Sequence, residues 1–514
     1  MHAPAQHNTQ TADERILICG AGITGMCTAL ALASRGHRVT VLERDEPPPG
    51  GDADRAFFDW RRRGASQFRH PHAFLGLMCN ILETNYPDLL DEFYAAGARR
   101  LEFRDMLPAE LERRYQVAPG DEQLWMLLCR RATIETVLRR YVSRIPGVEI
   151  LTGITIDGLE LSSTADGPVA HGLRVRRDCA PAFGEVLSGT TVIDASGRTS
   201  RFPRWLAAAG IAVPEERDDA EIVYYTRHYQ RRDGCPEPPR GGKDRASGDL
   251  GYLKYGVFPG DNGSFAVIVC THLKEQALRE AIKDGATFDR ICRSIPGLAP
   301  WLEPGTVDPT TDAFGIGDIC AVWRDFAPED TPLVRNFFAV GDAALRTNPL
   351  YGRGCSTGIL HAHLLADCFA AASDPTARAR LFKSRTEEEL RPIFKASLAE
   401  DRRGIRRALA IIEGTLLDQP DSFKKWFALA FGDALAAAAR YDLHVLRGMM
   451  RTVNLLERPG DFLKDWRTRL TLFAYLFRGR KRNAVARMQR GPTRNEMLAL
   501  IDSEAEAAVT AEAA

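Results

Sequence analysis

A chain of 514 residues is too long for one ordinary hydrophobic core, so two or three domains are expected. Hydrophobic residues at 45% and charged residues at 26% are the proportions of a folded protein, and 68 basic against 68 acidic side chains leave no global field to attract nucleic acid or an acidic partner. The 11 cysteines are scattered without CxxC or metal-type spacing, which reads as reduced thiols in a cytoplasm with no metal site.

The N-terminal stretch MHAPAQHNTQTADE is polar and lacks an apolar core, so it reads as a short disordered tail and not a signal peptide. Arg15 to Arg44 then reads RILICGAGITGMCTALALASRGHRVTVLER. Ile16 to Cys19 is a short apolar run suited to a strand buried on both faces. Gly20, Gly22 and Gly25 follow as G-x-G-x-x-G, and apolar residues at helical spacing run on through Leu32. A second strand ends at Glu43, 18 residues after Gly25. Gly20 permits a tight turn, Gly22 lets backbone approach a pyrophosphate, and Gly25 lets helix and strand pack closely. The helix N-terminus offers free N–H groups to phosphate, and Glu43, with Arg44 beside it, is placed to accept from ribose hydroxyls. This context makes the segment a dinucleotide site.

Arg62 to Leu75 (RRGASQFRHPHAFL) is a loop by composition. Arg69, His70 and His72 are candidates to touch a ligand; a two-histidine metal site lacks a third ligand nearby, and plain loop histidines are the bland alternative. RATIETVLRR forms a helix with Ile134 and Leu138 on its apolar face and Arg131 near its start. Thr190 to Leu206 supplies another buried strand, ending in Asp194 and an Ala-Ser-Gly turn. Residues 221–230, 251–258 and 264–270 read as strands by aromatic and β-branched content. Tyr225, Arg227 and Tyr229 share one face of the first of these, lining a pocket or packing against a core. The Arg-, Pro- and Gly-rich stretch 230–249 reads as a loop or lid.

Phe337 to Gly358 (FFAVGDAALRTNPLYGRGCSTG) places Asp342 at the end of a buried strand. Pro349, Gly352 and Gly354 keep the next turn nearly bare, and a helix is expected from about Cys355 to Ala371. Such a turn lets main chain run against a flat ring, while the helix N-terminus stabilises an anion by roughly 0.3–2 kcal/mol. Cys355 reads as a small buried residue. Three strand ends, each finishing in an acid or a glycine turn, suggest one long ligand crossing the carboxyl edge of a single sheet. Beyond about residue 375, stretches 383–410 (kinked or interrupted at Pro392), 421–440 and 443–456 are helical in period. Arg478 to Arg494 carries seven basic residues and no acid, which suits an anionic membrane surface, a carrier protein or simply solvent.

These motifs together resemble the FAD-dependent monooxygenases of the para-hydroxybenzoate hydroxylase and squalene epoxidase type. GAGITG with Glu43 is similar to their FAD-adenosine site, RATIETVLR to their R-x-x-L-E-x-x-L-R helix, and GDAALRTNPLYGRG to their GD motif. RRGASQFRHPHAFL, DASGRTSRFPRWL and YYTRHY resemble the bacterial polyketide epoxidases of polyether biosynthesis in particular. The resemblance spans roughly residues 15–370. It implies an α/β fold with three parts: a GxGxxG Rossmann-like FAD-binding domain (12–90, 120–210 and 331–374), an inserted, mostly antiparallel β substrate domain (91–119 and 211–330), and a C-terminal helical region (375–500). Residues 1–11 and 503–514 are expected as disordered tails.

The resemblance further implies FAD held by Gly20, Gly22, Gly25, Glu43, Arg44, Arg131, Asp342, Pro349, Gly352 and Gly354. Arg69, His70, His72, Tyr225 and Arg227 are candidates for flavin or substrate contact, and no catalytic base is assigned. The implied reaction inserts one oxygen of dioxygen, through a flavin C4a-hydroperoxide, into a hydrophobic small molecule, as in secondary metabolism. NADPH or NADH is the implied electron source, directly or through a flavin reductase. The hydroxylases carry Ala-Asp-Gly where this chain has Ala195-Ser196-Gly197, which puts direct NADPH reduction in question. A halogenase, a reductase or dehydrogenase of prenyl or polyketide chains, and a non-catalytic binder on the same fold are the alternatives. A cytoplasmic protein, soluble or peripheral to a membrane, is expected.

Overall fold

The computed structural model describes residues 14–239, 244–415, 420–487 and 490–502, so the expected tails 1–11 and 503–514 lie outside the described residues. Five strands form a parallel sheet: β1 (Arg15–Cys19), β2 (Arg38–Leu42), β3 (Val148–Leu151), β4 (Thr191–Asp194) and β5 (Phe337–Ala339), in the order β5-β4-β1-β2-β3. The order reverses at β1, the edge crossing where ligands of open α/β sheets bind. Ile16, Leu17 and Ile18 are fully buried because both faces of β1 are covered. On one face, helices α1 (Ile23–Ala33), α2 (Arg131–Val142) and α3 (Gly354–Ala371) enclose a core with Phe338, Leu30, Ile134 and Ile359. On the other, Leu17 and Val192 pack against Leu173 and Val175 of a three-stranded antiparallel sheet spanning residues 154–188.

α1 and α3 approach closely because their contact is nearly bare. A Cβ on Gly358 would meet Thr24 Oγ1 at 2.4 Å, and one on Gly341 would meet it at 2.7 Å. This close packing brings the N-termini of both helices to the same sheet edge.

A six-stranded antiparallel sheet forms the second layer, with Ile222–Arg231, Leu253–Pro259 and Ser264–His272 at its centre. Its far face covers a separate core of Tyr225, Val267, Phe288 and Trp301. The expected loop at 230–249 is shorter than the sequence suggests: the first strand runs on to Arg231 and Ser247–Asp249 pairs as an edge strand, while 240–243 lie outside the described residues.

The C-terminal third consists mainly of helices, among them α4 (Pro375–Glu389), α5 (Arg391–Ile412), α6 (Phe423–Tyr441), α7 (Leu443–Val453) and α8 (Trp466–Phe477). Pro392 interrupts the expected stretch rather than kinking it: α4 ends at Glu389 and α5 begins at Arg391. It sits in the first turn of α5, where its missing N–H would have had no helical acceptor. Leu390, Phe394 and Leu398 bury α5 against Leu75, Trp323 and Leu345. Among the described residues, no helix is long and apolar enough to cross a membrane.

Candidate functional site

All four turns at the carboxyl ends of β1, β2, β4 and β5 open into one cavity. Gly20 and Gly22 line it from the first, Glu43 and Arg44 from the second, Ser196 and Arg198 from the third, and Asp342 from the fourth. Arg131, Pro349, Gly352 and Gly354 complete the wall. Every residue expected to hold FAD lies on this cavity except Gly25, which lies beneath it. There a Cβ would sit 1.9 Å from the Gly20 carbonyl oxygen, so Gly25 serves helix–strand packing.

The glycines divide by what a side chain would meet. Gly20 has φ +106° and Gly352 has φ +66°, conformations that favour glycine. A Cβ on Gly22 or Gly354 would meet no protein atom within 4 Å. Both stand at bare helix starts: α1 and α3 have no side-chain N-cap and no acid in the first turn. Two uncapped N-termini with open backbone in front of them provide N–H groups and positive dipole for an anionic ligand.

Glu43 lines the cavity with its carboxylate already engaged by the protein. One carboxylate oxygen accepts from the Ala21 N–H at 2.9 Å, the other from the Asp45 N–H at 3.0 Å, and Arg62 lies 3.2 Å away. Burial works to raise its pKa, but Arg62 and the two N–H donors outweigh this and hold it below the usual carboxylate range. Arg62 is the residue that sequence reasoning missed. It is buried, lines the cavity and pairs with Glu43, Asp45 and Glu135. Its only signal in the sequence is its place at the head of RRGASQFRHPHAFL.

Asp194 also turns inward. It accepts from the Ser196 N–H at 3.0 Å and from the hydroxyls of Ser196 and Ser200 at 2.5 Å each, so it locks the turn that presents Ser196 to the cavity. Asp342 differs: no described residue donates a hydrogen bond to it. Burial pushes its carboxyl above the usual range, against the pull of Arg346, Arg131 and Arg198. It is an open acceptor facing the cavity.

At the other end of the site, His72 donates Nδ1–H to the His70 carbonyl at 2.8 Å and accepts from Arg131 on Nε2 at 2.8 Å. Arg131 is held in turn by Glu135. Asn348 and Tyr351 flank Pro349, and both donate to Asp401 of α5, at 2.7 and 2.9 Å. The C-terminal helices thus fix the bare turn. Burial pushes the Cys355 thiol up to about 12, so it is protonated, as a small packing residue is.

Three candidates lie elsewhere. Arg69 donates to the carbonyls of Phe57 and Phe58, away from the cavity. Tyr225 and Arg227 face the second core: Arg227 pairs with Asp289 at 2.8 Å and donates to the carbonyls of Gly285 and Thr311. Strand alternation instead sends Tyr224 to the cavity wall and Thr226 and His228 to the same side, where Thr226 meets His70 at 2.8 Å. His70 supports this wall from behind rather than lining it.

Burial pushes His70 down to about 3 and His228 to about 4. An unfolded histidine takes up its proton near pH 6.5, so between these values only the unfolded chain binds it. Each such group therefore removes stability as pH falls through that window, by about 1.4 kcal/mol per pH unit at most. His228→Phe is expected to lower stability at about pH 7 yet to flatten its decline toward about pH 5 by one proton's slope. Denaturant midpoints across that interval check this; an unchanged slope would mean His228 is protonated in the fold.

The donor set fits FAD: the bare α1 N-terminus for a pyrophosphate, the bare turn and α3 N-terminus for a flat ring, and an unpartnered carboxylate for a hydroxyl-bearing chain. The comparisons agree with this fit. Protein Rv3254 of Mycobacterium tuberculosis is 27% identical over 236 residues, 43% of this chain and 46% of that one, so the chain spans about half the length of the curated relative it matches. Among solved structures, p-nitrophenol 4-monooxygenase PnpA of Pseudomonas putida is 16% identical with a TM-score of 0.56, covering 87% of this chain and 100% of that one. The flavin-dependent brominase Bmp2 is 12% identical with a TM-score of 0.55, covering 90% and 98%. At these identities the likeness is one of fold. Residues 15–371, which contain all four strand-end turns and both bare helix starts, match the FAD dependent oxidoreductase model, and the chain belongs to that family.

Proposed function

We propose that this FAD-dependent oxidoreductase is a monooxygenase that inserts one oxygen atom of dioxygen into a hydrophobic small molecule, by epoxidation or hydroxylation, in secondary metabolism. The observation that carries the reading is the apolar part of the cavity wall. Tyr224, Ile316, Ile319 and Pro349 line the same cavity as the FAD-holding turns, so it carries apolar side chains as well as the polar groups a cofactor needs. Reduced flavin, when bound, supplies the electrons that activate dioxygen. The chain's own residues bind and shield: Gly22 and the α1 N-terminus take the pyrophosphate, Asp342 takes a ribityl hydroxyl, and the apolar wall keeps water from the reacting end.

No general base is required for oxygen transfer to an alkene. The imidazole of His72 on the wall has both nitrogens engaged, Nδ1 by the His70 carbonyl and Nε2 by Arg131. This favours an alkene over a phenol, in line with the resemblance to polyketide epoxidases. Ser196, locked by Asp194, stands where the hydroxylases place an aspartate, which favours reduction by a separate NAD(P)H-dependent flavin reductase.

Isotope labelling tests the reading. The photoreduced protein is mixed with ¹⁸O₂ and a panel of unsaturated prenyl and polyketide alcohols, and products are read by mass spectrometry. A product carrying one labelled atom is the expected result. An unlabelled product with two added hydrogens would assign a reductase, and a brominated product formed with bromide present would assign a halogenase.

A further inference from the structure

Helix α8 is turned inside out. Thr468 and Leu472 face the protein, Leu472 packing with Ala438, Ala439 and Val445. Trp466, Leu470, Phe473 and Phe477 recur at i, i+4, i+7 and i+11, which places them in one stripe on the opposite side. Their exposures are 63%, 60%, 58% and 88%. An ordinary surface helix carries polar residues there. The neighbouring helix α6 repeats the feature. Phe423, Trp426 and Phe427 lie at i, i+3 and i+4 and are also exposed. Phe423 stacks on Trp426 at 5.8 Å and on Phe427 at 6.3 Å. Single exposed apolar residues are normal, but seven large ones on two packed helices call for a cover.

The charge on α8 and the turn after it has one sign, while Asp465 at its start caps the helix and pairs with His444. Trp466 to Arg487 holds seven basic residues and no acid. Arg467, Arg469, Arg478, Lys481 and Arg482 are exposed, and Arg467 lies over the Trp466 ring at 5.4 Å. The basic run expected at Arg478–Arg494 divides here. Arg494 is tied to Glu275 at 2.6 Å and Arg490 approaches Asp244 at 3.8 Å, so the free cations gather beside the apolar stripe.

We propose that this surface docks on an anionic phospholipid bilayer, with α8 lying in the headgroup layer and not crossing it. Aromatic and leucine side chains on one face with arginine and lysine at its margins are the composition of interfacial helices. Basic residues at an anionic leaflet add attraction that falls off within a Debye length. A second copy of the chain fits less well. An isologous dimer through this stripe would set one basic margin against another.

The test is co-sedimentation of the full-length FAD-loaded protein with phosphatidylcholine vesicles, with and without phosphatidylglycerol. The protein should pellet with the anionic vesicles, remain in solution with phosphatidylcholine alone at the same lipid concentration, and be released by high salt. The triple variant L470S/F473S/F477S should bind at least about tenfold more weakly while its FAD content and melting temperature stay unchanged. K481E/R482E should reduce the preference for anionic vesicles. Absence of binding to the anionic vesicles, or binding that the triple variant retains, would overturn the proposal. So would a concentration-dependent dimer in light scattering that the triple variant abolishes.

Discussion

Gly22→Val is expected to abolish FAD binding while leaving the apoprotein folded. The two halves of that outcome rest on different observations. Gly22 has φ −78° and ψ −177°, an extended conformation that valine adopts readily, so the backbone is not strained. A Cβ there meets no protein atom within 4 Å, so the core does not register the change. The added isopropyl group instead projects into the cavity in front of the α1 N-terminus, where main-chain N–H groups must reach the pyrophosphate. Holding the phosphates off those donors removes several charge-assisted hydrogen bonds at once. The expected loss exceeds about 3 kcal/mol, or more than about 100-fold in Kd. Flavin absorbance after gel filtration measures the binding, and circular dichroism with thermal melting measures the fold. Gly25→Val supplies the contrast, because its Cβ would sit 1.9 Å from the Gly20 carbonyl and the βαβ unit itself would fail. If Gly22→Val bound FAD with unchanged affinity, the pyrophosphate would not lie at the α1 N-terminus.

The outline of this site is legible in the sequence because glycine and strand-end acids act through local geometry. Gly20, Gly22 and Gly25 need only their own turn to be interpreted, and the helix expected from about Cys355 is the observed Gly354–Ala371. What was not legible depends on partners distant in sequence. Glu43 was expected to face a ribose, and its engagement by Ala21 N–H and Arg62 emerges only when a loop 19 residues on folds back over it. Arg62 carries no periodic signal at all. In strand Ile222–Arg231 the period of two says which residues share a face but not which face is inner, since a sheet with a core behind it and a cavity before it is buried on both sides. That is why Tyr225 and Arg227 meet the second core while Tyr224 meets the cavity. The inside-out stripe of α8 has the right period for a helix and the wrong face for a core, and periodicity alone cannot tell these apart.

Asp342→Ala separates a binding role from a structural one by moving the two in opposite directions. The Asp342 carboxyl accepts no hydrogen bond from a described residue, and burial holds its pKa above the ordinary range. An unpartnered, partly desolvated carboxylate destabilises the empty site, so removing it should leave the apoprotein no less stable. With FAD bound, the same carboxylate gains a hydroxyl donor, and its removal should weaken binding by about 1–3 kcal/mol, roughly five- to 150-fold. The melting temperature of the apoprotein should hold or rise while the increase in melting temperature on adding FAD shrinks. Asp342→Asn keeps the shape and one acceptor oxygen, so it should fall between the native chain and the alanine variant. A residue needed for the β5 turn would behave otherwise: alanine would lower the apoprotein's melting temperature, and FAD affinity would fall only with the fraction folded. Titration calorimetry with FAD, run beside thermal denaturation of the same apoprotein, distinguishes the two cases. The first pattern places the ribityl chain at the end of β5; the second removes Asp342 from the cofactor and leaves the pyrophosphate cradle at Gly22 as the anchor.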